Sequence, residues 1–166
     1  MSARDLVTAA CVAEEEGFAV ALVEQPYRVS GRRAPAPAAQ LDRAWTEVVK
    51  RLRANELGDL PLVVGGRSLG ARVACRTSAE LRAIRVLCLA FPLQLPSRSA
   101  APSRLPELEL VSVPTLVVQG ENDQFGIPPP GERREVVLVR GDHSLRSDLA
   151  AVGDAVRNWL RRVGPA

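Results

Sequence analysis

The stretch "PLVVGGRSLGARVAC", residues 61–75, constrains the chain more than any other. Its apolar run through Gly65 reads as a short strand, and the residues after Ser68 place Leu69, Val73 and Ala74 on one face of a helix. Between them stands Gly66-Arg67-Ser68-Leu69-Gly70. A strand that becomes a helix within so few residues brings its flanking positions against neighbouring backbone. Glycines at 66 and 70 leave that room, and the central serine is held on a strained corner with its hydroxyl exposed. The N-terminus of the following helix points at that hydroxyl and favours negative charge developing there, with the Leu69 N–H as one oxyanion donor. No Gly-Lys-Ser/Thr follows, so the turn is not a phosphate loop.

The rest of the chain repeats the alternation of strand and helix. Residues 5–16 carry apolar positions at helical spacing, and residues 18–23, "FAVALV", read as a strand ended at Pro26. A Gly- and Pro-rich loop with Arg32 and Arg33 leads to a helix over 41–57, where Leu41, Trp45, Val48, Val49 and Leu52 form one stripe. Further strands are expected over 61–65, 83–92, 115–120 and 134–141, and a closing helix over 143–163. Residues 93–114 read as a long loop with one short helical piece at 105–108. Near-continuous apolar strands favour a mostly parallel sheet of five strands with helices on both faces, an α/β fold. At 166 residues the chain holds one domain, 1–166.

Composition removes several classes of function. The net charge of +3 is spread along the chain, almost all basic residues are arginines, and aromatic residues make up 4%, which leaves no stacking platform for nucleic acid. No run approaches the length of a membrane span, and the N-terminal stretch turns acidic where a signal peptide would be cleaved. The three cysteines, Cys11, Cys75 and Cys88, are too few and too apolar in context for a disulfide framework. A cytoplasmic location is therefore expected. One histidine and scattered thiols do not make a metal site, and no cofactor motif is present.

A serine on such a corner needs a base and an orienting acid. The one histidine, His143, follows the last expected strand in "VLVRGDHSL", and Asp123 follows the strand before it in "TLVVQGENDQFG". In a parallel sheet both loops emerge at the same C-terminal edge as Ser68, where open α/β sheets bind ligands. The chain order Ser68, Asp123, His143 is that of the hydrolase arrangement. Asp142 and Glu121 are rival acids, with Asp142 better suited to capping. Arg67, and Arg32 and Arg33 on a nearby loop, would attract an anionic substrate unless they are solvated surface arginines. The segment "QFGIPPPGE" either lines the cleft or serves as a stiff connector.

These motifs in this order resemble the α/β-hydrolase superfamily. "GDHSL" at the histidine and "QGENDQFG" at the aspartate resemble its dienelactone-hydrolase-like branch, which includes the testis-expressed protein 30-like predicted hydrolases. The resemblance spans roughly residues 5–160. It implies Ser68 as nucleophile, His143 as general base and Asp123 as the residue orienting His143, acting on a small-molecule carboxylic ester or related acyl substrate. The alternative is a catalytically weak or inactive hydrolase-like binding or scaffold protein. The family opens with two or three further strands, and the loop after its third strand supplies a second oxyanion N–H. Here the first helix resembles the one after that strand, so the resemblance implies a truncated fold with a gap between residues 18–23 and the elbow strand. The gap would be filled by upstream residues, closed by direct strand pairing, or occupied by another polypeptide. An exposed sheet edge would also let two copies of the chain pair.

Overall fold

The structure is a computed structural model that describes residues 3–95 and 102–162. Residues 96–101 of the expected 93–114 loop, and Val163 of the expected closing helix, lie outside the described residues.

Four strands, β1 (Val63–Arg67), β2 (Arg85–Leu89), β3 (Thr115–Gly120) and β4 (Arg134–Val139), pair in the order β1-β2-β3-β4, every pair parallel. All six residues of β3 are buried, whereas the edge strands are less so: β1 alternates between buried and half-buried positions, and β4 is buried only at Val139. Period-two alternation divides the apolar side chains between two faces. Val64, Val86, Cys88 and Val117 join one cluster with Val49, Ala71, Ala74, Leu108 and Val111. Leu89, Leu116, Val118 and Val139 join the other with Ala9, Val12, Val152, Val156 and Trp159. The first face is covered by α3 (Ala38–Leu52), α4 (Leu69–Thr77) and α5 (Leu105–Glu109), the second by α1 (Arg4–Glu15) and α6 (Leu149–Arg161). Of the other helical pieces, α2 (Pro26–Val29) is a single turn at the start of the expected loop, and a π-helical turn, Arg53–Leu57, continues α3. The expected fold class therefore stands, in the form of a sheet with helices on both faces.

The fifth expected strand does not form. Residues 18–25 have no regular structure, and 21–25 line the same cavity as Gly65–Gly70 at the C-terminal end of β1. Apolar content makes a strand only where a ladder partner exists, and among the described residues no strand pairs with β1 on the side away from β2. Direct pairing of residues 18–23 with β1 is thus not how the gap is closed. The closing helix also begins later than expected. Asp148 caps α6 by accepting from the Ala151 N–H at 2.9 Å, which leaves 143–148 as turns.

One ion-pair network, in which Arg76 also lies 3.2 Å from Glu107, locks α4 in place. Arg72 donates two bonds to Glu107 of α5 (2.8 and 2.6 Å), and Arg76 donates two to Asp42 of α3 (2.8 and 2.6 Å). Such forked, partly desolvated pairs fix geometry as well as contributing energy.

Candidate active site

β1 runs into α4 through Ser68, whose backbone sits at φ 51° and ψ −111°. A non-glycine residue in this region costs about 1–3 kcal/mol and persists only where its surroundings hold it. Here the Ser68 N–H donates to the Leu89 carbonyl of β2 (2.8 Å), and its own carbonyl accepts from Arg72 N–H in α4. A side chain at Gly66 would put its Cβ 2.4 Å from the Gly70 carbonyl carbon, so the close approach expected across the elbow is present. At Gly70 the expectation needs correction. A Cβ there meets nothing within 4 Å, and what the turn requires of that residue is its backbone against Gly66.

The three residues expected to work together meet at the C-terminal edge of the sheet. Ser68 Oγ lies 2.9 Å from His143 Nε2, and His143 Nδ1 lies 2.8 Å from Asp123 Oδ2. With Nδ1–H donating to the carboxylate, Nε2 is left to accept the Ser68 hydroxyl proton. The Asp123 side chain is fully buried, and His143 is 17% exposed. Phe125 holds the other side of the imidazole, with ring centroids 4.3 Å apart, and its N–H donates to Asp123 Oδ1 at 2.9 Å.

Two supports of this arrangement were not read from the sequence. Gln119, completely buried near the end of β3, shares the two hydrogens of Nε2 among three acceptors, Asp123 Oδ2 (2.7 Å), the Gly126 carbonyl (2.9 Å) and the Phe91 carbonyl (3.1 Å). It thereby stitches the acid to the loop ends around it. The second is Gly120, where a Cβ would lie 2.4 Å from the Asp142 carbonyl oxygen, so the histidine loop rests directly on the β3 backbone. A polar residue inside an apolar strand, next to a glycine, was the available signal for both.

The rival acids are placed elsewhere. Asp142 Oδ1 accepts from the Ser144 N–H (2.8 Å) and hydroxyl (2.6 Å), which hold its carboxyl below the usual carboxylate range and make it the cap of a turn. Glu121 is exposed. Arg32 and Arg33 are exposed and lie outside the cavity lining. Arg67 does line the cavity, but its guanidinium is already engaged, donating from Nε to Asp5 (2.8 Å) and from its terminal nitrogen to the His143 carbonyl (2.9 Å). The "QFGIPPPGE" segment lies outside that lining too and carries the chain from β3 to β4, with Phe125 and Gly126 as its contacts with the site.

The cavity beside Ser68 holds about 540 Å³. Leu22, Val23, Trp45, Leu69 and Val73 give it apolar wall, and Glu24, Arg28 and Arg146 stand among the polar lining. Among the described residues no group of three or more metal-ligating side chains occurs, and no helix is long and apolar enough to cross a membrane.

The sequence profile described as "Alpha/beta hydrolase domain" matches residues 5–155. The chain belongs to the α/β-hydrolase family. Solved structures with the same fold include a member of the a/b serine hydrolases without lid from Xanthomonas campestris, 21% identical, with a TM-score of 0.73 over 100% of this chain and 76% of that one. An alpha-beta serine hydrolase homologue from Coxiella burnetii is 16% identical, with a TM-score of 0.66 over 96% of this chain and 77% of the other. Mouse alpha/beta hydrolase domain-containing protein 10 is 14% identical, with a TM-score of 0.67 over 99% and 86%. At these identities the likeness is one of fold. No curated protein matches the chain in sequence. As an α/β hydrolase, the chain carries its elbow serine after β1, its aspartate after β3 and its histidine after β4.

Proposed function

We propose that this α/β hydrolase is a serine hydrolase that cleaves a small carboxylic ester or related acyl compound. The observation that carries the reading is the unbroken hydrogen-bond chain from Ser68 through His143 to the buried Asp123, opening on a cavity of about 540 Å³. That volume suits a small molecule, and the mixed lining of apolar wall and a few polar groups is typical of such sites.

In this reading Ser68 Oγ attacks the acyl carbon as its proton passes to His143 Nε2, and the carbonyl π pair moves onto oxygen. The imidazolium is held by Asp123, and its proton then goes to the departing alkoxide as the C–O bond breaks. Water, deprotonated by the same nitrogen, repeats the attack and releases the acid. The negative oxygen is met by the Leu69 N–H, the first of α4, which has no partner within the helix.

Labelling with a fluorophosphonate probe, followed by intact mass, tests the proposal on wild type, Ser68→Ala and His143→Ala. One adduct on wild type, absent from both variants, is expected. A folded wild-type chain that takes no adduct refutes it.

A further inference from the structure

We propose that Arg67 is a positioning residue that sets the distance between Ser68 and His143, with Asp5 of α1 as its anchor; the inference rests on the serine-hydrolase reading. Arg67 is the last residue of β1 and the immediate neighbour of Ser68, and its fork spans two parts of the molecule. Nε donates to Asp5 Oδ2 at 2.8 Å, and the terminal nitrogen donates to the His143 main-chain carbonyl at 2.9 Å.

The result is a closed loop of connections. Ser68 Oγ holds the imidazole tip of His143, the guanidinium holds the backbone of the same residue, and the 67–68 peptide bond joins the two grips. The ring is therefore located at both ends relative to one dipeptide. The histidine loop needs such a tie. Residues 141–148 contain no regular structure, and Leu145 within them sits at φ 51° with its side chain wholly buried. Arg67 is the only donor found for the His143 carbonyl among the described residues.

Asp5 explains why the residue is an arginine. Its carboxylate is 1% exposed, in the first turn of α1, and a charge so enclosed is retained only when it is paired. Replacing such a pair by apolar residues often leaves stability unchanged, so stability is a poor explanation for its presence. Geometry is the better one, because a planar guanidinium can serve a carboxylate and a carbonyl at once in fixed directions, which a lysine ammonium on a flexible stem cannot do equally well. The same engagement makes Arg67 unsuited to binding an anionic substrate.

The test uses two readouts on the full chain, Arg67→Met, Arg67→Lys and Asp5→Asn. The first is fluorophosphonate labelling resolved into the maximal rate and the half-saturating probe concentration. The second exploits the single histidine of the sequence, since ¹⁵N-histidine labelling of protein carrying no histidine tag yields one imidazole, His143. In Arg67→Met the maximal rate should fall about 10- to 100-fold, the consequence of a catalytic group displaced by a fraction of an ångström to one ångström. The half-saturating concentration should stay within about twofold, because the guanidinium is engaged by Asp5 and the His143 carbonyl and is not a substrate contact in this proposal, so that only orientation is lost. The Nδ1–H resonance of His143 should broaden or vanish. Arg67→Lys and Asp5→Asn, which keep part of the polar link, should fall between the two. A folded Arg67→Met protein that labels at the wild-type rate and retains the Nδ1–H resonance overturns the proposal. So does a loss confined to probe affinity, which would make Arg67 a substrate contact. If Arg67→Met does not fold, wild-type rate and resonance in both conservative variants overturn it equally. An unlabelled wild type refutes the hydrolase reading instead, and the resonance in Arg67→Met then decides the positioning role alone.

Discussion

Gly120→Ala isolates the contact on which the histidine loop rests. The added Cβ would lie 2.4 Å from the Asp142 carbonyl oxygen, 2.8 Å from its carbon and 2.8 Å from the Gly141 oxygen, and protein Cβ atoms essentially never approach closer than 3.0 Å. All three neighbours are backbone, so no rotamer change relieves the clash. The loop must move by at least about 0.6 Å, and it carries His143 one residue beyond the contact. Since Ser68 Oγ and His143 Nε2 are 2.9 Å apart, such a shift along their line stretches the hydrogen bond to about 3.5 Å, the edge of useful length. The expected consequence is a loss of labelling rate of about 10²-fold. Overpacking at a buried backbone contact should also cost about 1–3 kcal/mol of stability. Gly70→Ala is the matched comparison. It belongs to the elbow motif, yet its Cβ enters open space within α4, where alanine is favoured over glycine by up to about 1 kcal/mol. Fluorophosphonate labelling and thermal melting on both variants decide the matter. If Gly120→Ala melts and labels like wild type, the close approach is not what positions the histidine; if Gly70→Ala melts markedly lower, the assignment of open space is wrong.

Gln119→Leu removes the donor that holds Asp123 and strands two carbonyls, so it should cost about 1–3 kcal/mol in melting experiments and slow labelling; an unchanged labelling rate would show that Asp123 is held without it. A thiol reagent on native protein should modify only Cys11, which is exposed, because Cys75 and Cys88 are buried 3.5 Å apart, and that contact together with burial pushes the Cys88 thiol well up. Three thiols should react once the chain is unfolded, and a native count of three would contradict the packing of α4 on β2. Acid should destabilise the fold through Glu107 and Glu16. Burial pushes the Glu107 carboxyl up, but Arg72 and Arg76 outweigh it and hold the group below the usual range, while Arg161 and then Arg157 do the same for Glu16. A lowered carboxylate pKa contributes stability that is complete above the unfolded value of about 4.3 and is lost as pH falls through the folded value. The melting temperature should therefore drop below that value, and Glu107→Gln should flatten the fall; equal acid sensitivity in Glu107→Gln would remove Glu107 from the account.

The elbow, the parallel sheet and the meeting of Ser68, Asp123 and His143 at one sheet edge were legible because each rests on local chemistry. A serine between glycines after an apolar strand, and polar loops directly after apolar runs, report their own geometry. The strand expected over 18–23 failed for the complementary reason. Its apolar pattern is real, with Phe18 packed against the α1–α6 side of the core, but a strand is a property of two segments and the sequence shows one. The pairing of Arg67 was hidden in the same way. Position 67 advertises a positive charge beside Ser68, while its partner lies 62 residues earlier in a helix, and no spacing rule joins an elbow to an α1 aspartate.

What the sequence could least reveal is how the site's strain is carried. Ser68 at φ 51°, Ala90 at φ 49° and Leu145 at φ 51° are all non-glycine residues in the left-handed region, each immediately beyond a strand end or within the histidine loop. Each is held by a different contact on the same side of the sheet. The Ser68 N–H is tied to Leu89, the Ala90 N–H donates to the Val118 carbonyl (2.8 Å), and Leu145 plugs the α6 side of the sheet with a fully buried side chain. At about 1–3 kcal/mol apiece, three such residues cost a large share of a typical domain's net stability. Glycine at 90 or 145 would relieve the backbone at once, so strain alone does not explain their retention. At 145 the buried leucine is what anchors the loop, and at 90 the methyl is part of the core. The site is accordingly rigid because its strained corners are also packing positions, and a substitution that relaxes one should loosen the alignment of Ser68 with His143 even where it raises the intrinsic comfort of the backbone.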